Sequence, residues 1–394
     1  MKRYLISFVA LLGYVYADTS LLSLAYEHNH ELKALESEIG ALEKEVDIST
    51  IWENPTLSLG VNDIFLREPL VRGQEMQNEA ISLSQKIPLG GKLGIKESIA
   101  LQDVAIKKLE YMTKKLEMQQ EIALLEKNYE RVLSDMALVE KYEKILEDLR
   151  NAHLAYNTTN AHYVDTLNNT ILQKSLMIEK KSLYKEKASI ERKLESIIAT
   201  SLPTLTPANK PLNYGLVNEE KLLDKAPKLQ LKNLQSTKEL LNLKYEKATK
   251  IPDVMVSIGY NRRQSRDDYA FIGFEIPLPI YGKEGLSIQK AQLMHSASEQ
   301  SVLDVRKQLM FELKDELLNK ELQYEKINLA KEVLHENEKM YAVIQATALS
   351  QNDALLSLLN VLSQMIEAQK QINANTFAYN ESIIKLYTLL GVEL

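Results

Sequence analysis

The residues with the greatest capacity for chemistry are the histidines and carboxylates, and their spacing favours neither catalysis nor metal binding. His153 and His162 lie near Asp165, but a predicted bend separates them, and they do not form the i, i+4 pair that binds zinc on a helix. His28 and His30 are two residues apart and do not share a helix face. Glycine-rich phosphate loops, HExxH and GxSxG are absent from the sequence, as is cysteine. We therefore predict no enzyme activity, no cofactor and no metal.

A long internal repeat relates the two halves of the chain. Asp165-Thr166-Leu167 and Asp353-Ala354-Leu355 are 188 residues apart, and Ile87-Pro88-Leu89 and Ile276-Pro277-Leu278 are 189 residues apart. Such a repeat indicates two copies of one supersecondary pattern rather than a compact catalytic domain. The elements that carry these segments therefore have to be found in both halves.

Two long stretches favour helix. Residues 95–202 and 286–390 contain neither glycine nor proline and are rich in helix-forming residues. The first carries a near-heptad apolar pattern at Ile122, Leu125, Tyr129, Val132, Met136, Val139, Tyr142, Leu146 and Leu149. We predict two antiparallel helical hairpins that fold near 151–160 and 345–353. Each limb is expected to run roughly 75–85 Å at a rise of 1.5 Å per residue.

Four shorter segments alternate apolar and small polar residues, which predicts β-strands at about 55–64, 79–88, 252–261 and 269–277. One face carries Leu57, Leu59, Val61, Ile81, Leu83, Val254, Val256, Ile258, Ile272, Phe274 and Ile276. The other face carries Ser58, Gly60, Ser82, Ser84, Ser257, Gly259, Gly273 and Glu275. Tilted strands of this length can cross a membrane, but open edges cannot lie in lipid. Three chains would supply twelve strands for a closed barrel.

These elements predict a mainly α chain with β-strands, organised as two tandem repeats of helix, strand, strand, long helix and long helix. The first repeat spans 18–205, with its helical hairpin at about 93–200. The second spans 206–394, with its hairpin at about 284–391. Residues 1–17, a basic start followed by an apolar stretch that ends at Ala17, predict a secretory signal peptide. No apolar run is long enough for a transmembrane helix, and the net charge of -6 disfavours a nucleic-acid partner.

In this order the features resemble the TolC family of outer-membrane efflux proteins, the outer membrane factors. The resemblance covers about residues 19–394 and is carried by Leu21–Leu32 as the opening helix, Asn54–Leu59 at the first strand, the two Ile-Pro-Leu segments, Tyr156 with Asp165-Thr166-Leu167 at the first tip, and Tyr379–Gly391 as the closing helix. It implies a homotrimer in which a 12-stranded outer-membrane β-barrel stands on a periplasmic α-helical barrel.

The resemblance also implies a function and partners. The trimer would be the passive exit duct of a tripartite efflux system, anchored in outer-membrane lipid and extending into the periplasm. It would accept substrates from an inner-membrane pump through a periplasmic adaptor, the membrane fusion protein. Two alternatives stay open: a soluble periplasmic coiled-coil scaffold, and the exit duct of a type I protein secretion system.

The resemblance assigns roles to several groups of residues. Asp353 matches the carboxylates that ring the periplasmic gate, where three copies would attract cations, and Asp165 is its first-repeat counterpart. The adaptor-contact tips are Thr159, Asn160, Ala161, Thr347, Ala348 and Asn352. Pro88, Pro277 and Pro279 mark strand-to-helix swivels, and Trp52, Tyr260, Tyr269 and Tyr281 are expected at the membrane interfaces. Asp165 could instead cap its helix, and the tips could be ordinary polar turns.

Overall fold

The computed structural model describes residues 19–64, 77–156, 160–198, 209–263, 266–347 and 354–393. Over these residues the chain forms helices and four strands in the order α1 (Thr19–His28), α2 (His30–Thr50), β1 (Thr56–Asn62), β2 (Asn78–Ile87), α3 (Lys92–Tyr156), α4 (Asn160–Ile198), α5 (Glu219–Leu222), a 3-10 turn (Leu223–Lys225), α6 (Pro227–Ala248), β3 (Val254–Arg263), β4 (Tyr269–Glu275), α7 (Lys283–Thr347) and α8 (Ala354–Leu390). The prediction of a mainly α chain with β-strands is confirmed, and the strands form one small antiparallel sheet.

The prediction that each helical limb runs roughly 75–85 Å is wrong. Helices α3 and α7 each have 65 residues, whereas α4 has 39 and α8 has 37. At 1.5 Å per residue the long limbs measure about 98 Å and the short limbs about 55–58 Å. The asymmetry arises because α3 and α7 start directly after the glycine turns that follow β2 and β4, whereas α4 ends ahead of Pro203. The shorter helices α2 and α6 run beside α3 near the strands and complete the packing there.

The first compact unit comprises Met1–Lys33, Met112–Pro227 and Arg306–Leu394. Within its described residues, hydrogen bonds from Asn169 to the Leu146 carbonyl and from Lys180 to Glu143 hold α4 beside α3. The buried apolar residues of the two helices include Val132, Val139, Leu146, Leu176, Leu183 and Ile190. On α4 these buried residues recur every seven positions, as expected for a coiled-coil interface. Helix α8 is more extensively buried than α4, with buried residues along most of its length.

A segment of irregular backbone, residues 209–217, is tied to α8 in the first unit. Asn380 is fully buried; its side-chain amide accepts a hydrogen bond from the Leu212 N–H (2.8 Å) and donates one to the Lys210 carbonyl (3.0 Å). Leu212 and Tyr214 pack against an apolar cluster formed by Ile327, Tyr379 and Ile383. One amide therefore satisfies two backbone groups of a segment that has no secondary structure of its own.

The second compact unit comprises Ala34–Tyr111 and Lys228–Val305 and contains the sheet. Its strand order is β1-β2-β3-β4 and every pairing is antiparallel. Ion pairs join α3 to the helices on either side: Lys107 to Glu38 on α2 (3.0 Å), and Asp103 to Lys238 on α6 (2.5 Å). Each compact unit draws on both halves of the chain, so the predicted repeat boundary at 205–206 is not a boundary between units. That boundary stays a prediction, and the predicted signal peptide, residues 1–17, lies outside the described residues.

Among the helices of the described ranges, none combines the length and apolar character that crossing a bilayer requires.

Replacing Asn380 with Ala should destabilise the first unit by about 1–3 kcal/mol, because the Leu212 N–H and the Lys210 carbonyl would lose the two hydrogen bonds that tie this segment to the buried Asn380 side chain. Urea unfolding would measure the loss, and limited proteolysis should show faster cleavage within 209–217. The matched control is Asn360→Ala, at an exposed asparagine of the same helix, α8. Equal stability of the two variants would contradict the role given to Asn380.

Candidate functional site

One face of the sheet is apolar and exposed across all four strands. The register places Leu57, Leu83, Ile258 and Ile272 in one row across the sheet, and Leu59, Ile81 and Tyr260 in the next. All of these side chains are large and exposed to solvent, and so is Phe274 on β4. Soluble proteins rarely leave a contiguous apolar surface of this kind uncovered, so the face is an interaction surface.

Apart from Phe271, the opposite face carries mostly polar or small residues near the middle of the sheet, and some of them are hydrogen-bonded to one another. The hydroxyls of Ser84 and Ser257 are 2.8 Å apart, and the Asn62 amide donates to Asn78 (2.9 Å). Gly259 lies beneath the ring of Phe271, where an added Cβ would come within 2.2 Å of a ring carbon. The absence of a side chain at Gly259 therefore gives the Phe271 ring its place on this face.

The turn between β2 and α3 contains Pro88 and is held by a buried lysine. The Lys92 ammonium donates hydrogen bonds to the Ile251 carbonyl (2.6 Å) and to the Asp253 carboxylate (2.6 Å). The Leu89 N–H also donates to Asp253, at 3.2 Å. Gly90 has a φ of +73°, and an added Cβ would come within 3.1 Å of the Ala248 carbonyl oxygen. The turn is thereby fastened to the segment that enters β3.

The charged groups around this turn lower the pKa of Asp253. Burial raises this pKa. The opposite effect comes from the hydrogen bonds donated by Lys92 and the Leu89 N–H and from the charges of Lys92 and Lys86. Together they outweigh burial, so the pKa lies below its usual value. A lowered pKa means that the carboxylate is stabilised as the anion in the folded state. Its contribution to stability is therefore present at neutral pH and is lost as the pH falls through the acid range.

The second strand-to-helix turn differs from the first in its surroundings. Pro277 and Pro279 are exposed, and so are Leu278, Ile280 and Tyr281 between them and the start of α7. Gly282 has a φ of +74°, so both turns place glycine in the left-handed backbone conformation, as Gly90 and Gly91 do in the first turn. The first turn is covered by the end of α6 and the residues that lead into β3. Among the described residues, nothing covers the second turn in this way.

The four aromatic residues predicted at membrane interfaces divide between the two ends of the sheet. Tyr260 and Tyr269 lie at the β3–β4 hairpin end, whereas Trp52 and Tyr281 lie beside the helices; all four are exposed. The Tyr260 hydroxyl donates to the Asp268 carboxylate, and the Arg263 guanidinium lies over the Tyr269 ring at 4.3 Å.

Most residues of the predicted gate and adaptor-contact tips either lie outside the described residues or have side chains that are not described. Thr159, Ala348, Asn352 and Asp353 lie outside the described residues. Asn160 and Ala161 belong to the first turn of α4, Asp165 to α4 and Thr347 to the end of α7, but their side chains are not described. Among the described residues, the helices end at Tyr156 and Thr347 and begin again at Asn160 and Ala354. The predicted bends and the roles of these residues stay predictions.

Sequence reasoning missed a polar network in the first unit. The Arg131 guanidinium bonds Asp135 on the next turn of α3 (3.0 Å) and Glu186 on α4, and the Asn373 amide of α8 donates to Asp135 at 2.7 Å. Burial raises the pKa of Asp135, opposed by the hydrogen bond from Asn373 and by Arg131. The i, i+4 pair of Arg131 and Asp135 was visible in the sequence, but its partners on α4 and α8 were not. Within the described ranges no group of three or more potential metal ligands occurs.

Comparison with known proteins finds similarity at the level of structure only. No family model matches the sequence, and no curated protein matches it. The Neisseria gonorrhoeae MtrE outer membrane channel, crystallised in its open state, superposes with a TM-score of 0.79 at 16% identity, covering 95% of this chain and 89% of that one. The Vibrio cholerae outer membrane protein VceC gives 0.78 at 14% identity, covering 95% and 96%. The Campylobacter jejuni CmeC outer membrane channel gives 0.75 at 12% identity, covering 95% and 85%.

These similarities confirm the predicted resemblance at the level of the fold. The structural neighbours are channel proteins, not enzymes. At identities of 16% or less, it is the backbone arrangement that is shared.

Replacing Lys92 with Met should lower the unfolding temperature at pH 7, because Asp253 and the Ile251 carbonyl would lose a buried hydrogen-bond donor. The free energy of unfolding should fall by about 1–3 kcal/mol. The difference from the natural protein should shrink as the pH falls below the usual aspartate pKa of about 3.9 and through the lower pKa that Asp253 has in the folded natural protein. Thermal unfolding between pH 3 and pH 7 would measure both effects. Lys250→Met, at an exposed lysine in the same region, is the matched control. A loss that does not depend on pH would contradict the part given to Asp253.

Proposed function

We propose that this chain, whose fold is that of the TolC-family outer membrane factors, is an outer-membrane channel that serves as the exit duct of a tripartite efflux system. The observation that carries the proposal is the exposed apolar face shared by four strands, in a sheet with one unpaired edge strand at each side. The fold of the structural neighbours supports the same conclusion.

The apolar face matches what a lipid-facing barrel wall requires. Barrel strands alternate apolar residues toward lipid with small or polar residues toward the lumen, and the two faces of this sheet differ in that way. The exposed aromatic residues at both ends of the sheet correspond to the belts that flank a bilayer. Outer-membrane lipid is therefore the proposed environment of the sheet.

The edges of the sheet account for the proposed trimer. Strands β1 and β4 are the edges of the sheet in the described chain, and unpaired backbone groups cannot be left in lipid. Three copies joined edge to edge would close a barrel of twelve strands, an even number in the range of known barrels. The long helices, about 98 Å each, would extend the duct into the periplasm.

The proposed duct is passive, with no bond chemistry of its own. Substrates would arrive from an inner-membrane pump through a periplasmic adaptor, which would contact the tips at Thr159, Asn160, Ala161, Thr347, Ala348 and Asn352. The small side chains among these residues would allow another helical hairpin to approach closely. The apolar face equally suits the exit duct of a type I secretion system. A soluble scaffold would leave the face unexplained.

Two adjacent residues of β1 allow a matched test of the lipid-facing assignment. Leu57 and Ser58 are both exposed but lie on opposite faces of the sheet. Leu57→Lys should reduce the amount of protein in the outer-membrane fraction, because a lysine facing the bilayer midplane costs about 2–4 kcal/mol, whereas Ser58→Lys should assemble normally. Membrane fractionation, followed by native mass determination in mild detergent, is the measurement. Recovery of the natural protein as a soluble periplasmic monomer or dimer would favour the scaffold instead.

The proposed gate is tested at Asp353. If three copies of this carboxylate ring the entrance, Asp353→Ala should weaken cation selectivity and relieve block by multivalent cations in single-channel recordings. Asp165→Ala, at its first-repeat counterpart, separates a shared gate from a helix cap. Glu299→Ala, at an exposed carboxylate far from the tip on α7, is the control. Unchanged selectivity and block in the Asp353 variant would remove the gate from the proposal.

A further inference from the structure

The face of the sheet opposite the apolar one carries two aromatic side chains near the β3–β4 hairpin. Tyr269 and Phe271 of β4 lie on this face, because the residue next to them, Ile272, lies on the apolar face and side chains alternate along a strand. Each of the two rings is 39% exposed, although most other residues of this face are small or polar. Tyr260, the other tyrosine at this end, lies on the apolar face. The two tyrosines therefore meet different surroundings.

The ring of Phe271 lies over the sheet and is held there by two glycines. A Cβ added at Gly259 would come within 2.2 Å of one edge of the ring, and a Cβ added at Gly273 would lie 3.9 Å from the opposite edge. Two positions without side chains thus leave room for the ring along the sheet surface. The ring accordingly presents one flat face away from the sheet, in a fixed place.

Arg263 places a positive charge beside the second ring. Its guanidinium lies 4.3 Å from the centre of the Tyr269 ring, within the range of a cation–π contact. The Nε atom of Arg263 is buried and has no hydrogen-bond partner among the described residues. The Asp268 carboxylate is engaged by other donors, the Tyr260 hydroxyl and the Arg263 backbone N–H. The guanidinium therefore keeps hydrogen-bonding capacity for an anion.

Flat aromatic surfaces beside a guanidinium match one class of ligand. Tyr269 and Phe271 are two residues apart on one strand face, so their Cα atoms are about 7 Å apart. A planar aromatic molecule can stack on such rings, and a negative group on it can pair with the guanidinium of Arg263. An aliphatic anion would lose the stacking, and an aromatic cation would meet a like charge.

We propose that Phe271, Tyr269 and Arg263 form a binding site for planar aromatic anions on the inner wall of the duct, which we call the aromatic wall site. The inference rests on the proposed function, because this face becomes an inner wall only when copies close the barrel with the apolar face toward lipid. The sheet end that bears the hairpin lies away from the long helices, so the site would lie near the exit. It names a class of substrate that the wall of the duct retains.

Block of the current through single channels tests the aromatic wall site. The full-length protein is reconstituted in planar bilayers, and naphthalene sulfonate is added on the side of the hairpin. We expect this planar anion to block the natural channel at lower concentration than cyclohexane sulfonate, an anion without an aromatic ring, or N-methylquinolinium, an aromatic cation. Phe271→Leu should raise the blocking concentration of naphthalene sulfonate roughly two- to tenfold, because bulk is kept but aromatic stacking is lost. Arg263→Gln should remove the preference for naphthalene sulfonate over N-methylquinolinium, because the amide is neutral.

Thr56→Ala is the matched control, at an exposed residue of the same face at the helix end of β1. Its blocking concentrations should equal those of the natural channel. Tyr269→Leu keeps the test valid if the Phe271 variant does not assemble. If the natural protein forms channels but the three probes block them equally, or the leucine variants change nothing, the aromatic wall site is wrong and the proposed function stands. A natural protein that forms no channels would overturn both.

Discussion

The constraint on which the rest of this structure depends is an open sheet with one apolar exposed face. Among the described residues, β1 and β4 have no outer neighbour in the sheet, and apolar side chains such as Leu57 and Ile272 are exposed on one face. Neither water nor lipid tolerates both features together: water penalises the apolar face and lipid penalises the unpaired edges. Closure with other copies in a bilayer answers both requirements, which is why membrane insertion and assembly belong to one proposal.

The two strand-to-helix turns illustrate how one repeated pattern is completed in two ways. The first turn is fastened inside the chain by Lys92, whose ammonium bridges Ile251 and Asp253. The second turn has the same glycine geometry, but its apolar residues are exposed. The same contrast recurs in the other compact unit, where α7 leaves large apolar residues such as Phe311, Leu318 and Leu329 exposed although Leu313 and Ile327 on the same helix are buried. A repeat that buries its apolar residues in one half and leaves them exposed in the other half is suited to packing against further copies.

Polar contacts inside the first unit position helices rather than perform chemistry. Asp135, Arg131, Glu186 and Asn373 connect three helices through side chains that satisfy one another. Asn380 does the same for a segment without regular structure. Satisfied polar groups of this kind favour one helix register over its neighbours, because a slip would leave a buried charge or amide without a partner. This suits a conduit whose walls must keep a defined arrangement.

The sequence by itself determined the element types and the repeat. The stretches without glycine or proline mark α4, α8 and all but the first turn of α3 and α7, and alternation marks the strands, because both signals depend only on neighbours along the chain. Tertiary structure alone decided the unequal limb lengths, the pairing of β2 with β3 and the contacts of Lys92 and Asp135. These join residues more than 150 positions apart, such as Asp135 and Asn373, and no local periodicity encodes such a distance.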